Sequence, residues 1–124
     1  MGLDFSIGDK RTDVHWSYTG FHCFRERLAE AIGIDLDEME GFGGKVLWLQ
    51  VDDDLVPLLD HSDCDGEISP EDCAKVAARL REIVSKWPLY DEGTGTPCYD
   101  RLQAVYLAEA MEECANTGQP LKFL

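Results

Sequence analysis

Residues 69–88, SPEDCAKVAARLREIVSKWP, carry the clearest structural signal in the chain. Ser69 offers an N-cap oxygen, Pro70 suits the first helical position, where no donor is needed, and Glu71 and Asp72 place negative charge in the first turn. Behind that start, Cys73, Val76, Ala77, Leu80, Ile83, Val84 and Trp87 repeat at helical spacing, and Pro88 stops the pattern. The segment predicts an amphipathic helix with one buried stripe.

The same logic extends downstream. "LYDEGTGTP" (89–97) reads as a flexible loop, and Thr96-Pro97 repeats the cap-then-Pro signal for a helix running to about Asn116. Its apolar residues Leu102, Val105, Tyr106, Leu107, Met111 and Cys114 wrap more than one face, which predicts a central helix. Gly118 and Pro120 end it, and "PLKFL" (120–124) is expected to return as a strand beside the N-terminal one. There, "GLDFSI" (2–7) alternates Leu3, Phe5 and Ile7, a short strand with one buried face.

Between these ends, "RTDVHWSYTG" (11–20) reads as a loop into a helix capped by Thr19, with Phe21, Phe24, Leu28 and Ile32 inward. Arg25, Glu26, Arg27 and Glu30 turn outward. Gly33 suits the left-handed position after that helix, with Ile34 making the closing contact. "IDLDEMEGFGG" (34–44) is a short turn broken by glycines. "KVLWLQV" (45–51) has the composition of a strand and is expected to be the most buried one. "DDDLVPLLD" (52–60) suits a brief helix with Pro57 in its first turn. Trp16, Tyr18 and Phe21, gathered in "HWSYTGF" (15–21), are assigned to the core on the burial tendency of aromatics. The expected fold is α+β: one domain of 124 residues, with three main helices on a small, mostly antiparallel sheet.

Charge is the strongest global feature. The chain carries 11 Lys and Arg against 25 Asp and Glu, a formal net charge of −14. Thirteen of those acids fall between Asp35 and Asp72, where Lys45 is the one basic residue. Such a field repels nucleic acid and anionic membrane surfaces and attracts cations or basic proteins. The N-terminus lacks a basic-then-apolar leader, and no apolar run approaches a membrane span. "MGLDFS" matches the N-myristoylation pattern, but a single acyl chain needs a basic patch to hold it, and the acidic balance is the opposite. Cys23, Cys64, Cys73, Cys98 and Cys114 are odd in number with no C-x-x-C pair, which fits a reducing, cytoplasmic setting.

One segment draws a chemical reading. In "HSDCDGEISPED" (61–72) acids alternate, a Gly follows, and an apolar residue comes two places later. The spacing resembles the EF-hand calcium loop, with Gly66 at the sharp turn, Ile68 after it and Ser69 where the exiting helix begins. The resemblance covers these twelve residues alone. It implies a calcium or magnesium site using Asp63, Asp65, the Glu67 carbonyl and Asp72. His61 stands where the first Asp belongs, and the short Asp72 where a bidentate Glu belongs. The other reading is an acidic turn whose side chains bond nearby amides before a capped helix. Zinc on His61, Cys64 and Cys73 lacks a fourth ligand.

Catalytic patterns are sparse. His22 and Cys23 are adjacent on a helix and so diverge by about 100°. Cys98 sits in a first turn, where neighbouring Asp91 and Asp100 oppose any dipole activation, and reads as core. "GFGGK" (41–45) precedes its strand, the reverse of a phosphate loop. The chain is therefore read as non-enzymatic. In size and charge it resembles phage-encoded inhibitors of host defence and the immunity proteins that neutralise nuclease toxins. That resemblance implies a basic partner, a nuclease or other nucleic-acid-binding protein, with no direct contact to nucleic acid or membrane. The residues expected to meet it are Asp52, Asp53, Asp54, Asp60, Asp63, Asp65 and Glu67.

Overall fold

The structure is a computed structural model that describes residues 2–62, 65–89 and 98–124. Strand β1 (Leu3–Ile7) turns through Gly8 and Asp9 into β2 (Lys10–Trp16), an antiparallel hairpin. Helix α1 (Tyr18–Ala31) follows, then a 3-10 turn at Leu36–Glu38, a second at Trp48–Gln50, and the single-turn helix α2 (Val56–Leu59). Strand β3 (Glu67–Ile68) leads directly into α3 (Pro70–Val84), and α4 (Tyr99–Thr117) is followed by β4 (Leu121–Phe123). The four strands form one sheet in the order β2-β1-β4-β3 with every neighbour antiparallel, and the fold is α+β. Among the described residues, no helix is long and apolar enough to cross a membrane.

The two ends of the chain meet as expected: Phe5 pairs with Phe123 and Ile7 with Leu121. The Ser69 start also holds, with Ser69 Oγ accepting from the Asp72 amide at 3.2 Å. Gly33 takes the left-handed conformation, φ 81°, while the Ile34 amide reaches back to the Ala29 carbonyl at 3.0 Å. The core joins Leu3, Phe5 and Ile7 of β1 to Phe21, Phe24 and Leu28 of α1 and to the inner faces of α3 and α4. Phe5 packs edge-on against Phe123 at 4.8 Å, and Trp16 stacks on Phe24 at 4.4 Å.

Several expectations are corrected. Residues 10–16 are a strand rather than a loop, because Val14 and Trp16 turn into the core while Asp13 and His15 face out. Ser17, not Thr19, caps α1, its Oγ accepting from the Gly20 amide at 2.9 Å. Trp16 and Phe21 are core, but Tyr18 is 38% exposed. On α4, Leu102 and Tyr106 are exposed, so the buried face is narrower than the apolar pattern and is filled out by Ala104, Ala108 and Ala110. The loop at 90–97, including the Thr96-Pro97 start signal, lies outside the described residues.

The largest revision concerns residues 45–51. Val46 makes one isolated bridge to Met39 and the following residues coil into the 3-10 turn, so no buried strand forms. Trp48 is buried, its Nε1 donating to the Glu40 carbonyl at 3.0 Å, while Leu47 and Leu49 point out. The loop doubles back tightly: a Cβ on Gly44 would lie 2.0 Å from Glu38 backbone, so only glycine fits there.

One ion pair fastens the two long helices. Arg81 of α3 donates twice to Glu112 of α4, at 2.7 and 2.8 Å. Those hydrogen bonds hold the Glu112 carboxyl below its usual range. A carboxylate whose pKa is lower folded than unfolded stabilises the fold above its ordinary range, and loses that contribution as pH falls through the depressed value. Both side chains are about two-fifths exposed, at 41% and 43%, so the contribution is under about 1 kcal/mol. Glu112→Gln should therefore lower the melting temperature slightly at pH 7, with the difference closing below about pH 4. A gap that persists at pH 3 would contradict this.

Candidate acidic interface

The sequence places the acids; the structure sorts them. Asp53, at the entry to α2, is the captured member of its run. Its Oδ1 accepts from the Leu55 amide at 3.0 Å, and Arg79 of α3 holds its Oδ2 at 3.1 Å. With 14% of its side chain exposed, it pins α2 to α3 and is withdrawn from the surface. Asp52 and Asp54 on either side are exposed and, among the described residues, enter no ion pair. Asp60 follows α2 at its other end. Burial, and then the nearby Glu40 carboxylate, raise the Asp60 carboxyl above its usual range.

Asp60 and Glu40 flank an open groove of about 480 Å³ whose apolar lining includes Leu47, Trp48, Leu49 and Val56. Leu49 is 96% exposed, an unusual state for a leucine, and Leu47 is 45% exposed beside it. Two exposed leucines thus stand in the middle of the most acidic part of the chain. Sequence reading missed them because Val, Leu and Trp in a row match a buried strand. The signal that could have found them is the absence of a turn and partner strand next to that run.

Three residues shape the described part of the loop at 61–68. Gly66 adopts φ 89°, the conformation expected at the sharp turn, and its carbonyl accepts from the Phe123 amide at 2.9 Å. Ile68 is buried in β3 and pairs with Leu121. His61 folds over Phe123 with ring centroids 4.0 Å apart, one ring nitrogen 2.8 Å from the Ser62 carbonyl and the other 3.2 Å from the Glu67 carbonyl. The Glu67 carbonyl, an expected metal ligand, thus already has a neighbour in His61. Asp65 and the Glu67 side chain are exposed, and Asp72 sits in the first turn of α3. Asp63 and Cys64 lie outside the described residues.

Gly66→Val should destabilise the fold by about 1–3 kcal/mol, because a branched residue is strained at positive φ. The added Cβ would also press within 3.1 Å of the His61 ring. Urea denaturation reads the loss, and an unchanged midpoint would show that the turn tolerates a side chain.

Arg25 was expected to face solvent and is instead buried, 4% exposed. Its Nη1 donates to the carbonyls of Leu59 at 3.3 Å and His61 at 2.6 Å. Its guanidinium lies 4.7 Å from the Phe21 ring centroid and 5.0 Å from that of Phe42. Carbonyls at the end of α2 carry the negative end of the backbone dipoles, and that is what draws a cation inward. Arg25 thereby anchors the acidic segment to α1.

Three of the described thiols, those of Cys73, Cys98 and Cys114, are buried. Burial raises the Cys73 thiol to about 12, and its Sγ lies 3.6 Å from the Ile68 carbonyl. Cys98 is buried, as its core assignment expects, with Arg27 Nη1 3.8 Å from its sulfur. No protein-family model matches the chain, and no curated protein or solved structure matches it.

Proposed function

We propose that the chain is a binding protein that docks its acidic face on the basic, nucleic-acid-handling surface of a protein partner and blocks it, in the manner of a phage anti-defence or immunity-type inhibitor. The observation that carries this reading is Leu49, nearly fully exposed beside Leu47 in a groove that the acids Glu40 and Asp60 also line, with exposed Asp52 and Asp54 following a few residues on in the chain. An apolar anchor within a charged rim is how tight protein contacts are built: the centre supplies affinity and the rim supplies rate and choice of partner. The Glu40–Asp60 groove suits a Lys or Arg side chain, whose stem lies along Val56 and Leu47 while its charge meets two carboxylates. Asp65 and Glu67, exposed further along the same acidic segment, supply additional negative charge. The free thiols of Cys23, Cys73, Cys98 and Cys114 support a cytoplasmic setting.

The reading is tested by affinity capture on wild-type protein and on Leu47→Ser/Leu49→Asp side by side. A basic protein retained by the wild type and lost from the variant, with equal melting temperatures, is the expected result. Equal retention by both would remove the leucines from the interface.

A further inference from the structure

A second cluster lies on the outer face of α1, where His22 lines a groove that Glu40 and Asp60 of the docking face also line. His22 and Glu26 are one helical turn apart, and Asp37 reaches toward them from the 3-10 turn at Leu36–Glu38. One ligand atom from each lies within 4.8 Å of the other two. The His22 Nε2 and Glu26 Oε1 are 3.4 Å apart, longer than a good hydrogen bond. That gap is close to the separation of about 3.4 Å between two ligand atoms bound to one tetrahedral zinc ion at about 2.0–2.1 Å.

The supports of the three side chains are firm. The opposite face of α1 is held in the core by Phe21, Phe24 and Leu28. Leu36 is buried, and the Asp37 amide donates to Asp35 Oδ1 at 3.0 Å, so the turn that presents Asp37 is fixed by its own backbone. The His22 ring lies beside Phe42, with centroids 6.1 Å apart. Glu30, Asp35 and Glu38 add negative charge nearby in sequence without a compensating lysine or arginine between Glu30 and Glu40.

We propose that His22, Glu26 and Asp37 form a surface site for a zinc-class divalent ion. One imidazole nitrogen with two carboxylate oxygens is a ligand set for zinc and its neighbours among the late first-row metals, while calcium and magnesium prefer oxygen alone. Three protein ligands leave a fourth position for water. The ion bridges α1 to the turn after it. Cys23, one residue on, points away around the helix and takes no part.

The test titrates the full-length protein with zinc chloride and follows the imidazole proton signals of His15, His22 and His61 by NMR. Saturable movement of the His22 signals is expected, with zinc affinity at least about tenfold weaker in His22→Ala and in Asp37→Asn. Asp37 is exposed, so Asp37→Asn should melt with the wild type when no zinc is added, and His22→Ala, at a half-buried ring beside Phe42, should melt only slightly lower. Calcium at the same concentration should leave His22 unmoved. The proposal fails if zinc moves His61 or His15 but not His22, if either variant binds as tightly as wild type, or if calcium moves His22 as zinc does, since the last outcome marks general attraction to an acidic surface.

Discussion

Trp16→Ala is expected to cost about 3–5 kcal/mol, a large share of the about 5–15 kcal/mol that holds a domain folded. Trp16 is 1% exposed, stacks on Phe24 at 4.4 Å and touches Phe21 at 5.6 Å. Its Nε1 donates to Asp100 Oδ1 at 3.1 Å, which ties β2 to the first turn of α4. Truncation opens a cavity beside two rings and releases that tie, and the surrounding helices are too well packed to fill the space. Tyr18→Ala, two residues on and partly exposed, should cost well under half as much. Chemical denaturation separates the two. Equal small losses would show that the hairpin is not part of the core.

Arg25→Met is expected to cost about 2–4 kcal/mol, since a buried acceptor left without its donor costs about 1–3 kcal/mol. Methionine keeps the apolar stem between Phe21 and Phe42 but removes the donor to the Leu59 and His61 carbonyls. Arg25→Lys should fall between, because an ammonium keeps the charge but lacks the planar fork and its stacking. The loss should be local first: amide exchange should rise across residues 59–62 before the α3 amides follow. A methionine variant as stable as wild type, with unchanged exchange there, would mean that the buried charge costs as much as its contacts return.

Both effects rest on residues that differ in how legible they were. Trp16 was readable as core from its type, although its strand was not. Thr12, Val14 and Trp16 do alternate, but the Asp and His between them looked like loop until the Gly8-Asp9 turn supplied a partner strand. The Ser69-Pro70 start and the return of residues 120–124 beside β1 were legible because caps and short alternations are local signals. Arg25 was not legible, since the carbonyls that bury it lie 34 and 36 residues away. The same distance problem hid the fate of Asp53, whose captor Arg79 is 26 residues on. Residues 45–51 misled in the other direction: their composition suits a strand, but tertiary context gave them no neighbour and left Leu47 and Leu49 outside. The acidic segment was visible as charge, and its apolar centre was not.

That centre is the heart of the functional account, and a competition assay tests it most directly. With the captured partner held on duplex DNA at 0.1 M salt, rising amounts of the wild-type chain should displace the DNA. Displacement should weaken as salt increases, because the screening length near 10 Å at 0.1 M shortens and the carboxylates lose their pull. Asp52→Asn/Asp54→Asn should slow association, and Leu47→Ser/Leu49→Asp should abolish displacement, each with the melting temperature of the wild type. A partner that holds DNA and the chain at the same time, or that is displaced equally by both variants at every salt concentration, would contradict the account.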